Sequence, residues 1–212
     1  SVTVIEVGTF SSCDDLESII IPDSVTSISK RAFSRCKSLK SISIPESLEL
    51  IDEDAFECCS IETVHIKSLS SWCNIKFVGS NANPLRYAKN LLLNGEPVTD
   101  IVIPDGVTKI RRHTFECCKF ITSVTIPDTV TIIEKESFFG CKSLTSINIP
   151  DSVNKIKEGA FEYCESLKEV HINSLASWCR ISFEDKTSNP LYYAKNLYLN
   201  GELITDLVVP DD

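Results

Sequence analysis

Cysteine is the residue type in this chain best suited to chemistry, because a thiol can form disulfides or bind zinc. The chain of 212 residues has ten cysteines, and six of them end a Phe-x-x-Cys group: Cys13, Cys36, Cys59, Cys118, Cys141 and Cys164. A zinc site usually contains paired Cys-x-x-Cys spacing, which this sequence lacks. Neighbouring ladder cysteines are close enough for a disulfide by Cα distance, but parallel side chains on stacked coils do not point at each other. We therefore favour free, buried thiols that pack as small apolar side chains over disulfides, with Cys58 and Cys117 facing outward.

The three histidines do not form a catalytic or metal-binding set. His65 and His171 hold equivalent positions in a duplicated segment, several strand steps apart, so they cannot share an ion. His113 follows two arginines and is predicted to lie on a solvent-exposed turn. The sequence also lacks a glycine-rich phosphate loop and a Gly-x-Ser-x-Gly elbow. We predict no enzymatic activity, no metal site and no cofactor.

The Phe-x-x-Cys groups recur with a fixed period, and this period predicts the architecture. The step is 23 residues within each of two sets: Phe10, Phe33 and Phe56, then Phe115, Phe138 and Phe161. A second landmark closes an apolar run in most copies, at Pro22, Pro45, Pro104, Pro127, Pro150 and Pro210. A period of this length is typical of stacked repeats, in which each coil covers the apolar faces of its neighbours.

One coil, residues 143–164, shows what each part is expected to form. Its first apolar run alternates with polar residues, which predicts a strand that Pro150 ends. Val153 and Ile156 begin a second extended stretch on another side of the coil. Residues 158–164 are predicted to form one short helical turn that points Phe161 inward.

Each set of three coils is followed by an expanded coil, and the two expanded coils are copies of each other, as from Trp72 to Trp178. Each contains a serine-capped helix with the tryptophan, a short helix that begins with Asn-Pro, and an Asn-Gly hairpin turn: Ser68 and Ser174, Asn83-Pro84 and Asn189-Pro190, Asn94-Gly95 and Asn200-Gly201. We predict a single solenoid domain over residues 1–212 with two modules, 1–103 and 104–209. Both ends cut through a coil, so we expect a fragment of a longer chain and possible end-to-end stacking of molecules.

Composition excludes two classes of partner. The net charge of −9 argues against nucleic acid, which requires a basic surface, and against electrostatic docking on anionic lipid. No apolar stretch approaches the length of about 18 residues that a membrane span needs. We therefore predict no nucleic-acid partner and no membrane span in this segment.

The pattern Leu-x-x-Ile-x-Ile-Pro-x-x-Val-x-x-Ile-x-x-x-Ala-Phe-x-x-Cys resembles the BspA-type leucine-rich repeat of bacterial and protist surface proteins. Residues 37–56 and 141–161 carry it most clearly. The resemblance implies a leucine-rich repeat solenoid: horseshoe-like and β-rich, with a parallel strand ladder, short helical turns, 23-residue coils and two expanded coils. It also implies a cell-surface or secreted, non-enzymatic binding protein or adhesin.

The outward side chains of the strand ladder are the predicted ligand-binding residues. They form two columns that are small and polar at the centre, which lets a partner approach the sheet closely. The columns contain Ser41, Ser43, Thr63, His65, Asp100, Val102, Ser123, Thr125, Ser146, Asn148, Glu169 and His171. The expected partner is a protein of the host or the extracellular matrix.

Two other functions are open on the sequence alone. The aromatic residues of the expanded coils could stack on sugars, which would make the chain a carbohydrate-binding module: Trp72, Trp178, Tyr87, Tyr192 and Tyr193. Packing inside the expanded coil is the simpler role for these residues, with Tyr192 exposed. The repeats could also act only as a spacer or stalk that projects other domains.

Overall fold

The computed structural model describes residues 1–209. Pro210 and Asp211, which complete the last predicted landmark, lie outside the described residues. The chain forms two compact units: Ser1–Val98 together with His113–Cys118, and Thr99–Arg112 together with the chain from Lys119 onward. The single solenoid domain over residues 1–212, with modules 1–103 and 104–209, stays a prediction.

The first unit contains nine strands, one α-helix and two 3-10 helices. In chain order they are β1 (Val4–Ile5), β2 (Ser18–Ile20), β3 (Ser27–Ile28), β4 (Ser41–Ser43), β5 (Leu50–Ile51), β6 (Thr63–Ile66), α1 (Leu69–Asn74), β7 (Lys76–Phe77), 3-10 helices Ser80–Ala82 and Pro84–Arg86, β8 (Asn90–Leu93) and β9 (Glu96–Pro97). Its main sheet has the order β2-β4-β6-β8-β9, and its second sheet has the order β1-β3-β5-β7.

The second unit repeats this plan. Its elements are β10 (Asp100–Val102), β11 (Lys109–Ile110), β12 (Ser123–Thr125), β13 (Ile132–Ile133), β14 (Ser146–Asn148), β15 (Lys155–Ile156), β16 (Glu169–Ile172), α2 (Leu175–Cys179), β17 (Ser182–Phe183), 3-10 helix Pro190–Tyr192, β18 (Asn196–Leu199) and β19 (Glu202–Leu203). The main sheet is β10-β12-β14-β16-β18-β19 and the second sheet is β11-β13-β15-β17. Every pairing is parallel except the two hairpins, β8–β9 and β18–β19, which confirms the predicted solenoid of parallel ladders.

Stacked phenylalanine rings fill the core of each coil. The rings of Phe10 and Phe33 lie 5.3 Å apart and those of Phe33 and Phe56 lie 5.4 Å apart, with interplanar angles of 11° and 5°. Phe138 and Phe161 stack in the same way, at 5.5 Å. This spacing is close to the separation of neighbouring strands, about 4.8 Å, so the period in sequence becomes a continuous ladder of rings.

The ladder cysteines lie beside these rings and have a structural role. The Cys36 thiol donates to the Phe10 carbonyl at 3.0 Å, and the Cys59 thiol donates to the Phe33 carbonyl at 3.0 Å. All ten cysteines are free thiols. Cys58 is exposed as predicted, and five of the six ladder cysteines are buried, whereas Cys13 in the first coil is half-buried and departs from the prediction. Cys117 is half-buried rather than outward-facing, because the Arg86 guanidinium lies 3.7 Å from its sulfur.

The prediction of a helical turn over residues 158–164 is wrong. The segment is a series of tight turns in which Gly159 and Tyr163 have left-handed backbones, with φ of 64° and 60°. Phe161 N donates to Thr187 O of the following coil at 3.1 Å, whereas the amides on either side bond within the turn. The left-handed residues turn alternate peptide groups toward the next coil, so hydrogen bonds between coils continue through this segment. In a helix these backbone groups would bond within the segment instead.

The same pair of left-handed positions recurs in every ordinary coil. The pairs are Gly8 and Ser12, Arg31 and Arg35, Asp54 and Cys58, His113 and Cys117, Glu136 and Gly140, and Gly159 and Tyr163. Most of these residues carry a Cβ, for which the left-handed backbone conformation costs about 1–2 kcal/mol. The hydrogen bonds between coils are formed in spite of this conformational cost.

Substitutions at these positions test the left-handed turn. We expect Arg35→Gly to raise the free energy of unfolding in urea by about 0.5–1 kcal/mol, because exposed Arg35 has φ of 64° and glycine adopts this conformation freely. Gly159→Ala should lower it by about 1–2 kcal/mol, since the added Cβ would be strained and 3.3 Å from Glu162 Oε2. Arg35→Ala is the control without an expected gain. A destabilising Arg35→Gly would contradict the turn, because glycine weakens a helix.

The expanded coils fold as the sequence predicts at each of their signals. Ser68 Oγ accepts from Ser71 N at 3.2 Å and caps α1. Asn83 Oδ1 accepts from Leu85 N at 2.8 Å and caps the 3-10 helix that begins at Pro84. In the second unit, Ser174 and Asn189 make the same caps.

The strands β8 and β18 are an addition that the sequence analysis missed. Each leads into its Asn-Gly turn and also pairs in parallel with the last ordinary strand, β6 or β16. The main sheet of each unit therefore runs one strand further than predicted. Asn90 and Leu92, and in the second unit Asn196 and Tyr198, extend the two outward columns.

Candidate binding surface

The outward face of each main sheet presents the predicted columns in register. In the first unit Ser41 pairs with Thr63, and Ser43 pairs with His65. In the second unit the first column contains Asp100, Ser123, Ser146, Glu169 and Asn196, and the second contains Val102, Thr125, Asn148, His171 and Tyr198. The alternate residues point into the core, as Val64 and Ile147 do, so the pleat separates a buried face from a solvated one. That these columns bind a ligand stays a prediction.

The column in the first unit is short and uncharged. His65 Nε2 lies 3.1 Å from Ser41 Oγ, which holds the half-buried imidazole ring against the sheet. Leu92 follows His65 in the same column, and Asn90 follows Thr63. Ile20 precedes Ser43 in that column and is exposed, so this face offers hydroxyl, imidazole and amide groups beside two aliphatic side chains.

The second unit carries the charged part of the surface. Asp100 Oδ1 accepts from Ser123 Oγ at 2.5 Å and from Thr122 Oγ1 at 2.8 Å. These hydrogen bonds, that from Ser123 first, lower the pKa of the Asp100 carboxyl. The two columns of this unit contain Asp100 and Glu169 but no lysine or arginine, so within the described residues the face is acidic.

An ordered cluster of side chains lies on the last strands of the second unit. The His171 ring stacks on the Tyr198 ring at 4.7 Å with an interplanar angle of 17°, and His171 Nε2 lies 3.2 Å from Glu169 Oε2. Stacking and hydrogen bonding together fix the orientation of all three groups. Sequence reasoning missed Tyr198 because it did not place β18 in the ladder. The signal was the alternating segment before Asn200-Gly201.

Asn148 differs from the other column residues in its contacts. Its Oδ1 accepts from Ile126 N at 2.5 Å and its Nδ2 donates to Ile126 O at 3.0 Å. Both ends of the amide therefore bond to the backbone of the neighbouring coil. We conclude that Asn148 supports the coil junction, and that Thr125 and Ser146 are better positions at which to probe binding.

The tryptophans of the expanded coils are packed inside them. Trp72 is 1% exposed and Trp178 is 9% exposed, and their rings lie against Phe77 and Phe183 at 5.2 and 5.4 Å. Burial removes both faces from contact with a sugar, which confirms the packing role. Tyr192, 51% exposed as predicted, remains accessible.

Tyr87 of the first unit is half-buried, and its hydroxyl donates to Asn81 Oδ1 at 3.1 Å. Three further tyrosines near the surface come from neighbouring coils of the second unit. Tyr193 Oη accepts from Tyr163 N at 2.8 Å and lies against Tyr192, with ring centroids 4.9 Å apart. Tyr163 in turn contacts Phe139 edge-on at 5.2 Å. Burial raises the pKa of the Tyr193 hydroxyl. Tyr163 was not singled out in the sequence, because its position in other coils is Cys58 or Cys117.

Family comparison decides the identity of the repeat. A family model described as "BspA type Leucine rich repeat region" matches residues 3–91 and 86–198, with six copies. The chain belongs to the BspA-type leucine-rich repeat family. No curated protein matches this BspA-type chain at a significant level.

Solved structures of repeat proteins align with this BspA-type chain at low identity. A leucine-rich cell surface protein of Faecalibacterium prausnitzii is 24% identical over 82% of this chain and 64% of that protein, with a TM-score of 0.35. The T. pallidum leucine-rich repeat protein is 20% identical over 91% and 72%, with a TM-score of 0.42. The pneumococcal vaccine antigen PcpA is 17% identical over 95% and 72%, with a TM-score of 0.45. The chain thus spans 64% of the length of the first of these proteins.

A buried polar cluster in the BspA-type chain corrects one prediction. His113 is not on an exposed turn but is 1% exposed, because the first expanded coil covers it. Its Nδ1 lies 2.7 Å from Glu116 Oε2, and Arg86 Nη1 donates to Glu116 Oε1 at 2.5 Å. The Arg86 guanidinium thereby pairs with the buried carboxylate, the His113 ring lies beside it, and the cluster joins the expanded coil to the turn that follows.

Residues 1–209 of the BspA-type chain contain neither a candidate metal site nor a membrane-spanning helix. No group of three or more His, Cys, Asp or Glu side chains in this range could hold a metal ion. No helix in the same range is long and apolar enough to cross a membrane. Leucine-rich repeat proteins of this family are typically non-enzymatic.

The vicinal pair Cys58–Cys59 allows a test of thiol burial. Burial raises the pKa of Cys59 to about 12, and it raises the pKa of Cys73 to about 12. A higher pKa means less reactive thiolate near neutral pH, so we expect iodoacetamide to modify exposed Cys58 and Cys179 in the native protein and to leave Cys59 and Cys73 intact. Peptide mass spectrometry after a timed reaction measures this. Equal rates of modification at Cys58 and Cys59 would contradict the burial of Cys59 in the ladder of cysteines.

Proposed function

We propose that this chain is a non-enzymatic binding module of a surface-displayed or secreted protein, and that it recognises a protein partner through the outward columns of its main sheets. The observation that carries the proposal is the cluster of Glu169, His171 and Tyr198 beside small polar residues. Tyrosine is enriched among residues that dominate binding energy, because it buries a large rigid surface and keeps a polar end.

The chemistry of the second unit defines the partner more closely. Its columns carry two carboxylates and, among the described residues, no lysine or arginine, which favours a partner surface that contains lysine or arginine. The small side chains at Ser123 and Ser146 allow close approach of that surface to the sheet. The Tyr198 ring, already fixed by His171, can then be buried with little loss of side-chain entropy.

A binding screen against host extracellular-matrix proteins tests the proposal. The double variant Thr125→Arg, Ser146→Arg places two large cations in the centre of the face, and we expect it to abolish any protein hit found with the native chain. Asn154→Arg is the matched control, because Asn154 is an exposed residue beside the second sheet. A protein hit that survives the double variant would overturn the strand-face site.

The two other functions give different outcomes in the same screen. A carbohydrate-binding module would produce a hit on a glycan array that depends on Tyr192 and Tyr163, since the tryptophans are buried. A spacer would bind nothing in either format. The sheet face is favoured over both, because its cluster of an acid, an imidazole and a tyrosine is held in a fixed geometry.

A further inference from the structure

The imidazole ring of His171 has one face covered and one face open. It stacks on the Tyr198 ring with centroids 4.7 Å apart and an interplanar angle of 17°, so the ring faces point along the column. The second face of His171 is therefore turned toward Asn148, which precedes it in the column. Among the described residues, no other ring stacks on His171, and its one side-chain hydrogen bond is to Glu169.

The side chain of Asn148 leaves the space before this second face open. Its Oδ1 accepts from Ile126 N and its Nδ2 donates to Ile126 O at 3.0 Å. Because the strand order is β12-β14-β16, Ile126 belongs to the coil before Asn148 and His171 to the coil after it. The amide thus bends away from His171, whose side chain is 35% exposed. A slot remains between the two side chains.

Two hydrogen-bond acceptors border the slot. Glu169 Oε2 lies 3.2 Å from His171 Nε2, whereas Oε1 of the same carboxylate has no partner within residues 1–209. Lys168, its neighbour in sequence, makes no ion pair with it in that range. Ser146 lies opposite Glu169 in the sheet, and its hydroxyl makes no hydrogen bond to any described residue. The slot therefore combines an aromatic face, a carboxylate oxygen and a free hydroxyl.

These groups match an arginine side chain more closely than a lysine side chain. A guanidinium group is planar, stacks on aromatic faces and carries a fork of N–H donors in its plane. Stacked on His171, it would continue the series of rings that begins at Tyr198, with its donors directed toward Glu169 and Ser146. A lysine ammonium is a compact point charge, which gains nothing from the flat face of the ring.

We propose that the slot formed by His171, Glu169 and Ser146 binds an arginine side chain of the partner protein. This inference rests on the proposed function and narrows the partner from a basic surface to one side chain. The contacts with Tyr198 and Glu169 fix the imidazole ring before the partner arrives. Binding therefore costs little side-chain entropy on the side of this chain.

The first unit contains the equivalent histidine without the slot. His65 Nε2 lies 3.1 Å from Ser41 Oγ, so this hydroxyl is already engaged. The acid and the tyrosine are replaced by Thr63 and Leu92, which hold the same register positions. His65 thus has neither a carboxylate beside it nor a ring behind it, and we expect it to bind no arginine.

NMR titration with Nα-acetyl-arginine amide tests the slot, because guanidinium is the only charge of this probe. We expect the ring signals of His171 to shift with a dissociation constant on the order of 10 mM, and those of His65 to stay unchanged. Nα-acetyl-citrulline amide has the same shape without the charge and should cause no shift. Nα-acetyl-lysine amide should bind at least about threefold more weakly.

Variants of the chain separate the slot from a general effect of charge. Glu169→Gln should weaken binding of the arginine amide by about fivefold, the upper end for an exposed ion pair. Asp100→Asn is the matched control, since it removes the other carboxylate of the same column and should leave the affinity unchanged. The amide spectrum of each variant verifies that it is folded.

Three results would overturn the slot. They are equal shifts of His65 and His171, equal affinity for the arginine and citrulline amides, and equal losses in Asp100→Asn and Glu169→Gln. The last would mean that only net charge matters.

The slot and the proposed function can fail separately. A protein partner lost in the Thr125→Arg, Ser146→Arg variant, combined with no binding of the arginine amide, would keep the strand-face function and overturn the slot. Binding of the arginine amide at His171, combined with no protein partner in the screen, would support the slot and count against the strand-face function.

Discussion

Replacing Phe33 by alanine is expected to lower the free energy of unfolding of the first unit by about 3–5 kcal/mol. The Phe33 ring is fully buried and stacks on both sides, at 5.3 Å from Phe10 and 5.4 Å from Phe56. Alanine would leave a cavity that neither neighbour can fill, because each ring is fixed in its own coil. The loss is therefore expected to reach the range of the largest core substitutions.

Urea unfolding followed by tryptophan fluorescence measures this loss. In a Trp178→Phe background, buried Trp72 is the remaining reporter and lies in the same unit as Phe33. Phe10→Ala is the matched control, since Phe10 is half-buried and stacks on one side only, so about half the loss is expected. A loss below 1 kcal/mol for Phe33→Ala would show that the ring ladder does not form the core.

Asn83→Ala is expected to destabilise the first unit by about 2–3 kcal/mol, whereas Asn189→Ala should cost about 1 kcal/mol. Both residues cap a 3-10 helix. Asn83 also donates to the buried carbonyls of His113 and Thr114, which would be left with fewer partners. The difference between two residues with the same local sequence thus measures the contribution of the hydrogen bonds from Asn83 to these two carbonyls.

Single-tryptophan backgrounds allow each variant to be read in its own unit, with Trp72 reporting on Asn83 and Trp178 on Asn189. Equal losses at the two positions would mean that capping is the whole effect. The hydrogen bonds from Asn83 to the carbonyls of His113 and Thr114 would then have no measurable role in holding the turn His113–Cys118.

The parts of the fold that follow from local chemistry were predictable. The period of Phe10, Phe33 and Phe56 required stacked coils, and Pro150 required the end of a strand. The caps at Ser68 and Asn83 each depend on one side chain and its own backbone, so they could be assigned from a few residues. The register of the columns followed from the same period.

The features that were missed depend on contacts between coils. The left-handed turn at Gly159 exists because Phe161 N bonds to the next coil, which no local pattern shows. His113 is buried because a segment some thirty residues earlier covers it, as the 30-residue separation of the Asn83–His113 bond shows. Tyr198 joined the surface only through the register of β18 with β16. Sequence reasoning therefore placed the outward columns of the sheet but not the most ordered cluster of side chains on them.

The strand-face proposal is tested most directly with a protein partner found in the binding screen. The measurement compares the affinity of that partner for the Tyr198→Ala variant with its affinity for the Tyr192→Ala variant. Both changes remove a tyrosine ring of the second unit, but only Tyr198 lies in the outward columns of the main sheet. Isothermal titration calorimetry should show a loss of at least about thirtyfold for Tyr198→Ala, the effect of an aromatic residue that dominates an interface, and less than about twofold for Tyr192→Ala. The reverse order would contradict the account and place the function on the aromatic residues of the expanded coil.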